Sequence, residues 1–187
     1  MQSQIRAQGD HPRARPDTPS ATDPRVSQRH RIDIVLLCGL LAGAFDLTFA
    51  IVFYGLQGAT PARILRGIAA GLLGRDVALG SGAWVVVLGA LLHFFAAVVA
   101  AFVFYALSRR FSILTRRWVL SGAIFGVGMF LFMHFVVIPL SRLHFRVPTL
   151  HDTIGELCSH VFLFGMVIAY GVARARAAQS APAQTVL

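Results

Sequence analysis

Lysine and asparagine are missing from this chain altogether, cysteine occurs only twice, and charge of either sign is scarce. Charged residues make up 13% and apolar residues 56% of the 187 positions, whereas an ordinary soluble domain carries roughly 25% charge. That mixture leaves no material for a sizeable soluble domain. The absence of lysine, with all 17 basic residues arginine, reflects GC-rich coding rather than function. Also missing are an H-E-x-x-H helix, a Ser-His-Asp arrangement and a phosphate loop, so hydrolytic chemistry has no support and the reading is non-enzymatic. Cys38 and Cys158 lie in apolar runs near opposite ends of the chain's spans, which argues against a disulfide and for small hydrophobes.

Four long apolar windows are present, at about 34–56, 84–107, 119–140 and 154–172. A membrane-spanning helix needs ~20 residues, so the fold class is all-α: a polytopic membrane protein built as a four-transmembrane-helix bundle. Its first partner is the lipid bilayer. A net charge of +9 in a soluble chain would suggest nucleic acid, but its distribution assigns it otherwise. Twelve arginines flank one side of the spans and five, Arg63, Arg66, Arg75, Arg142 and Arg146, the other. The positive-inside rule then predicts both termini in the cytoplasm of a bacterial inner membrane, and no nucleic-acid partner remains. Trp84 and Tyr54 fall at the outer edge and Trp118, Tyr105 and Tyr170 near the inner one, as interfacial aromatics do.

Residues 1–32 have no apolar period and read as a disordered Arg-rich cytoplasmic tail, with a short one at 174–187. The first span, too long for a cleaved signal, reads as an uncleaved anchor. Between spans 1 and 2, Thr60 as N-cap, Pro61 at the first position and Gly74 as a stop predict a helix over about 61–73. It is too short to span, so it should be interfacial or re-entrant on the outer side, with Arg63 and Arg66 near headgroups. Pro139 should end or kink span 3 beside His134. Gly39, Gly43, Asp46 and Ala50 share one face of span 1. Gly89, His93, Ala97 and Ala100 do so on span 2, and Gly122 and Gly126 on span 3. Such faces let backbones approach in lipid and permit a homo-oligomer.

The chemistry-bearing residues lie inside these spans. Asp46 is a carboxylate within an apolar run, by default a site hypothesis. His93, His134 and His160 lie on the other three spans. Counted from the outer boundary at ~1.5 Å per residue, all four fall within a slab ~6 Å thick, which would let them meet across the bundle. Glu156 sits one turn above His160, where it could also serve the helix N-terminus. Three chemistries would use this set. Proton or small-cation handling fits best, since imidazole titrates near pH 6.5 and exchanges protons with carboxylates. A metal would draw on His93, His134, His160 and Asp46. Haem would use His134 with His160, making the chain a redox subunit. A structural or accessory subunit, with polar groups only joining helices, is the remaining alternative. No cofactor is favoured.

The stretch His134-Phe-Val-Val-Ile-Pro-Leu140, followed by Glu156-Leu-Cys-Ser-His-Val-Phe162, resembles the C-terminal half of the YagU-like bacterial inner-membrane proteins. There a His-x4-Pro-Leu pattern precedes Glu-x2-Ser-His-Val-Phe, and the preceding helix carries a His where His93 stands. The resemblance covers about residues 84–165 and leaves Asp46 outside. It implies a multi-span inner-membrane protein with a loose link to acid stress, and marks His93, His134, Pro139, Glu156, Ser159 and His160 as shared positions without assigned roles.

Overall fold

The structure is a computed structural model that describes residues 24–143 and 148–177. The segments 1–23, 144–147 with Arg146, and 178–187 lie outside the described residues, and with them most of both expected tails. Within the described residues every regular element is helical. In chain order they are α1 (Pro24–Gly55), α2 (Pro61–Leu73), α3 (Arg75–Gly80), α4 (Trp84–Arg110), α5 (Ile113–Arg116), α6 (Trp118–Leu140) and α7 (Leu150–Ala177). Helices α1, α4, α6 and α7 are long and apolar enough to cross a membrane. In lipid a backbone must satisfy its own polar groups, and the α-helix does so within one segment.

The first helix starts earlier than expected. Residues 24–32, read as part of a disordered tail, are helical. Pro24 suits a first helical position, and nothing between it and Ile34 breaks the helix that the apolar segment nucleates. The helix between spans 1 and 2 forms as expected: Thr60 Oγ1 accepts the Arg63 N–H at 3.2 Å, Pro61 opens the helix, and Gly74 ends it at φ 87°. Two features of that region differ from expectation. The short α3 follows directly, and the Arg66 guanidinium donates to the carbonyls of Ala78 (2.8 Å) and Ser81 (2.6 Å). Arg66 therefore caps a neighbouring helix end.

The spans run alternately up and down. One end of the bundle carries both described chain termini (the terminal end); the other carries α2 and α3 (the far end). Helix α1 packs between α4 and α7, α7 packs in turn on α6, and α2 lies along α4. The small-residue faces are used within the chain. A Cβ on Gly39 would sit 2.9 Å from Val98 Cα, and one on Gly43 2.9 Å from Ala97 Cβ. Gly122 meets Met166 and Ala169 in the same way, Gly126 meets the His160 carbonyl, and Gly89 meets Leu65 of α2. Any contact between copies of the chain would have to use other surfaces.

The main core fills the terminal half: Val35 and Ala42 of α1, Ala97, Ala101 and Phe104 of α4, and Ile168 of α7 are all buried. At that end the Arg176 guanidinium donates to the carbonyl of Ser108, in the last turn of α4. Trp118 and Tyr170 pack edge to face at 5.2 Å. Cys38 is buried against Gly171, and Cys158 is exposed on the apolar surface.

Candidate functional site

Helices α6 and α7 each loosen into a π-helical turn, over Met133–Val137 and Ser159–Gly165. There the backbone pairs five residues back: Ile138 N–H donates to Met133 O, and Met166 N–H to Val161 O. Such turns leave a carbonyl short of its usual partner and occur often at functional sites. Pro139, just past the first, supplies no N–H and crowds the preceding turn, a local reason for the ladder to slip. The helix then ends at Leu140, so Pro139 lies at its terminus as expected.

A histidine completes each loosened turn in the same way. His134 Nδ1 donates to the Phe130 carbonyl at 3.0 Å, and His160 Nδ1 to the Glu156 carbonyl at 2.9 Å. Both acceptors lie four residues back, and each also receives the N–H three residues on, from Met133 and Ser159. A carbonyl can only accept, so both rings carry their proton on Nδ1. Nε2 is then left facing outward.

For His134, that outward nitrogen lies 3.2 Å from Oε2 of Glu156, the only glutamate in the chain. The other carboxyl oxygen, Oε1, accepts a short hydrogen bond from the Tyr54 hydroxyl. Glu156 thus joins α1, α6 and α7 through one side chain. His134 is 13% exposed and Glu156 30%, so the contact is shielded without being sealed. The proton inventory follows from geometry. With Nδ1 already engaged, Nε2 and Oε2 at 3.2 Å are close enough to share one proton, which would relieve the repulsion between two bare acceptors. That proton rests either on the ring, giving an ion pair, or on the carboxyl, giving a neutral pair.

One turn deeper, the buried Ser159 hydroxyl donates to Asp46 Oδ1 at 2.6 Å, a second polar tie between α7 and α1. His93 does not join either group. Its Nε2 donates to the Gly43 carbonyl at 2.9 Å, which ties α4 to α1. Above Glu156, towards the far end, His151 stacks on Phe53 at 4.7 Å and lies 3.8 Å from Asp152. Thr149 caps this start of α7 by accepting the Asp152 N–H at 3.1 Å.

The expected meeting of Asp46, His93, His134 and His160 at one height does not form. Each finds a different partner: Ser159, the Gly43 carbonyl, Glu156 and the Glu156 carbonyl. Counting residues gave comparable depths, but depth alone fixes no azimuth, and loosened turns redirect both α6 and α7. His134 and His160 each spend Nδ1 on a carbonyl of their own helix. The Phe130 ring lies beside both, with centroids 4.2 and 6.0 Å away. Among the described residues no three His, Cys, Asp or Glu side chains come together to hold a metal ion. The donor geometry gives neither cofactor reading support.

Sequence reasoning missed Tyr54, which it placed at the outer boundary as an anchor. The signal was there. Asp46, Ala50 and Tyr54 recur every fourth residue, so the tyrosine continues the inward face of α1. Phe53, beside it, lies on Gly155, where a Cβ would strike the ring. The fold and the buried polar ties define a four-span α-helical membrane protein. No family model, no curated protein and no solved structure matches the chain.

Proposed function

We propose that this protein is a non-enzymatic, proton-responsive protein of the bacterial inner membrane, with both termini cytoplasmic, in which Tyr54, Glu156 and His134 hold an exchangeable proton between three spans. The observation that carries the reading is the 3.2 Å approach of His134 Nε2 to Glu156 Oε2. Removing that proton leaves two acceptors opposed; adding a second leaves an imidazolium beside a neutral carboxyl. Either change weakens the tie between α6 and α7, so the protonation state sets the packing. The motif resemblance to YagU-like proteins, and its link to acid stress, is consistent with this use of Glu156, His134 and His160.

The reading is tested by following the melting or tryptophan fluorescence of the purified chain from pH 5 to 7, the range in which imidazoles commonly change charge. The expected result is a pH-dependent transition in the native chain that disappears in both Glu156→Gln and His134→Gln. An identical transition in all three would remove the proposal. A second reading, a structural subunit whose polar groups only join helices, is favoured by one observation: His93 Nε2 ties α4 to the Gly43 carbonyl of α1. It predicts variants that lose assembly and show no pH response at all. Absorption spectra and elemental analysis of the same sample test for a haem or metal.

A further inference from the structure

The carboxylates and histidines that join the spans lie in one half of the bundle; in the other, below the end turn where Arg176 meets the Ser108 carbonyl, the spans pack closely. From Asp46 towards the terminal end, α1 presents Phe45 to Ile34 without a charged side chain or hydroxyl, about 18 Å of helix at 1.5 Å per residue. Helix α7 is similarly apolar from Val161 to Ala169. The side chains between them are packed: Ala42, Ala101, Ile168 and Ala169 are each 0% exposed.

Three helix pairs are closed there at the level of the backbone. Between α1 and α4, a methyl on Gly39 would lie 2.9 Å from a backbone carbon. Between α6 and α7, a methyl on Gly122 would lie 2.9 Å from the Gly165 carbonyl, and between α1 and α7 the Cys38 thiol fills the place beside Gly171. Phe104 and Phe125, edge to face at 5.0 Å, close the space between α4 and α6. A site that excludes a methyl group also excludes water, which needs both room and polar partners. A proton cannot be handed across this half without either.

The far half differs. Glu156 is 30% exposed, Asp152 lies one helical turn nearer the end, and His151 is 68% exposed. The groups facing Glu156 are Tyr54 from α1 and His134 from α6. Asp46 with Ser159 lies below, His93 belongs to the α1–α4 contact, and His151, Asp152 and His160 share its own helix.

Resting on the proton-binding reading above, we infer that the site exchanges protons with the far face alone, so that the protein senses acidity on one side and does not conduct protons across. The proton arrives from water at the far end, is shared by Glu156 and His134, and leaves by the way it came. Asp46 and Ser159 are the floor of this half-channel.

The test uses the full chain in unilamellar vesicles of phosphatidylethanolamine and phosphatidylglycerol, with a pH dye inside and a valinomycin-imposed potassium potential. Melting of the same preparation is followed from pH 5 to 7. The expected result is proton entry within about twofold of protein-free vesicles, together with a pH-dependent melting transition that Glu156→Gln and His134→Gln each abolish. The second variant covers failure of the first to fold. Proton entry tenfold above protein-free vesicles would overturn the one-sided seal and leave proton binding standing. No pH dependence in the native chain would remove the proton-binding reading, and the inference with it.

Discussion

The two halves of this bundle are built from the same helices and solve opposite problems. In the terminal half, α1, α4, α6 and α7 meet through glycine and alanine, and the core residues there are almost entirely buried. In the far half α1, α6 and α7 meet through Tyr54, Glu156, His134, Asp46 and Ser159, and α4 meets α1 through His93. Lipid offers no hydrophobic drive for helices to associate, so close packing and interhelical hydrogen bonds must hold them. The terminal half relies mainly on the first, and the far half adds the second to the close packing at Gly126 and Gly155. Packing is indifferent to pH; a contact containing one exchangeable proton is not. On the proposed function, one end serves as a fixed frame while the other responds to pH.

The comparison can be broken most severely from the packed side. Ala101→Asp places a carboxylate at a fully buried position against Gly39. It should cost about 3 kcal/mol or more and abolish recovery of monodisperse protein, whereas carboxylates already reside in the far half. The next effect separates hydrogen bonding from protonation. Glu156→Ala leaves the Tyr54 hydroxyl and His134 Nε2 without a partner and should lower stability by about 2–3 kcal/mol in a denaturation assay at neutral pH. Glu156→Gln can still accept from Tyr54 and donate to His134. Its loss should stay under about 1 kcal/mol while the pH response vanishes. Equal losses in the two variants would show that charge, not bonding, holds the site.

Ser159→Ala removes the donor to Asp46 at a position only 3% exposed. A loss of about 1–2 kcal/mol is expected, with the pH response from Glu156 retained; a lost response would merge the two polar ties into one unit. The most local effect belongs to helix α2. Thr60→Ala deletes its N-cap and should cost about 1 kcal/mol, visible as faster amide exchange confined to α2 and α3.

Much of the frame was legible in the sequence, because its signals are local. Apolar length marks a span, and Thr60, Pro61 and Gly74 mark the limits of α2 in the way their backbone chemistry requires. The small-residue faces of α1, α4 and α6 pointed correctly into the bundle. The site was legible by composition but not by connection. His134, Glu156, Asp46 and Ser159 were singled out, yet the pairing of His134 with Glu156 and of Asp46 with Ser159 goes with two π-helical turns, of which only the first has a sequence cue, in Pro139. Those turns rotate side chains away from where a regular helix would aim them. Close contact of Gly126 with the His160 carbonyl, which only tertiary packing reveals, accompanies the second. Tyr54 was misread because a tyrosine near a span's end fits two roles equally, and only its distant partner decides between them. The carbonyl partners of Arg66 were not legible either, since α3, whose end it caps, is too short to leave a periodic pattern.

The central claim is that one proton is held between His134 and Glu156. It is tested most directly by nitrogen NMR of the full chain with isotope-labelled histidine, followed across pH, with His134→Gln used to assign the ring. The account predicts an Nδ1 that stays protonated throughout and an Nε2 whose signal moves with pH in the native chain and shifts in Glu156→Gln. A His134 ring with a bare Nδ1 and a protonated Nε2, indifferent to the Glu156 substitution, would contradict it.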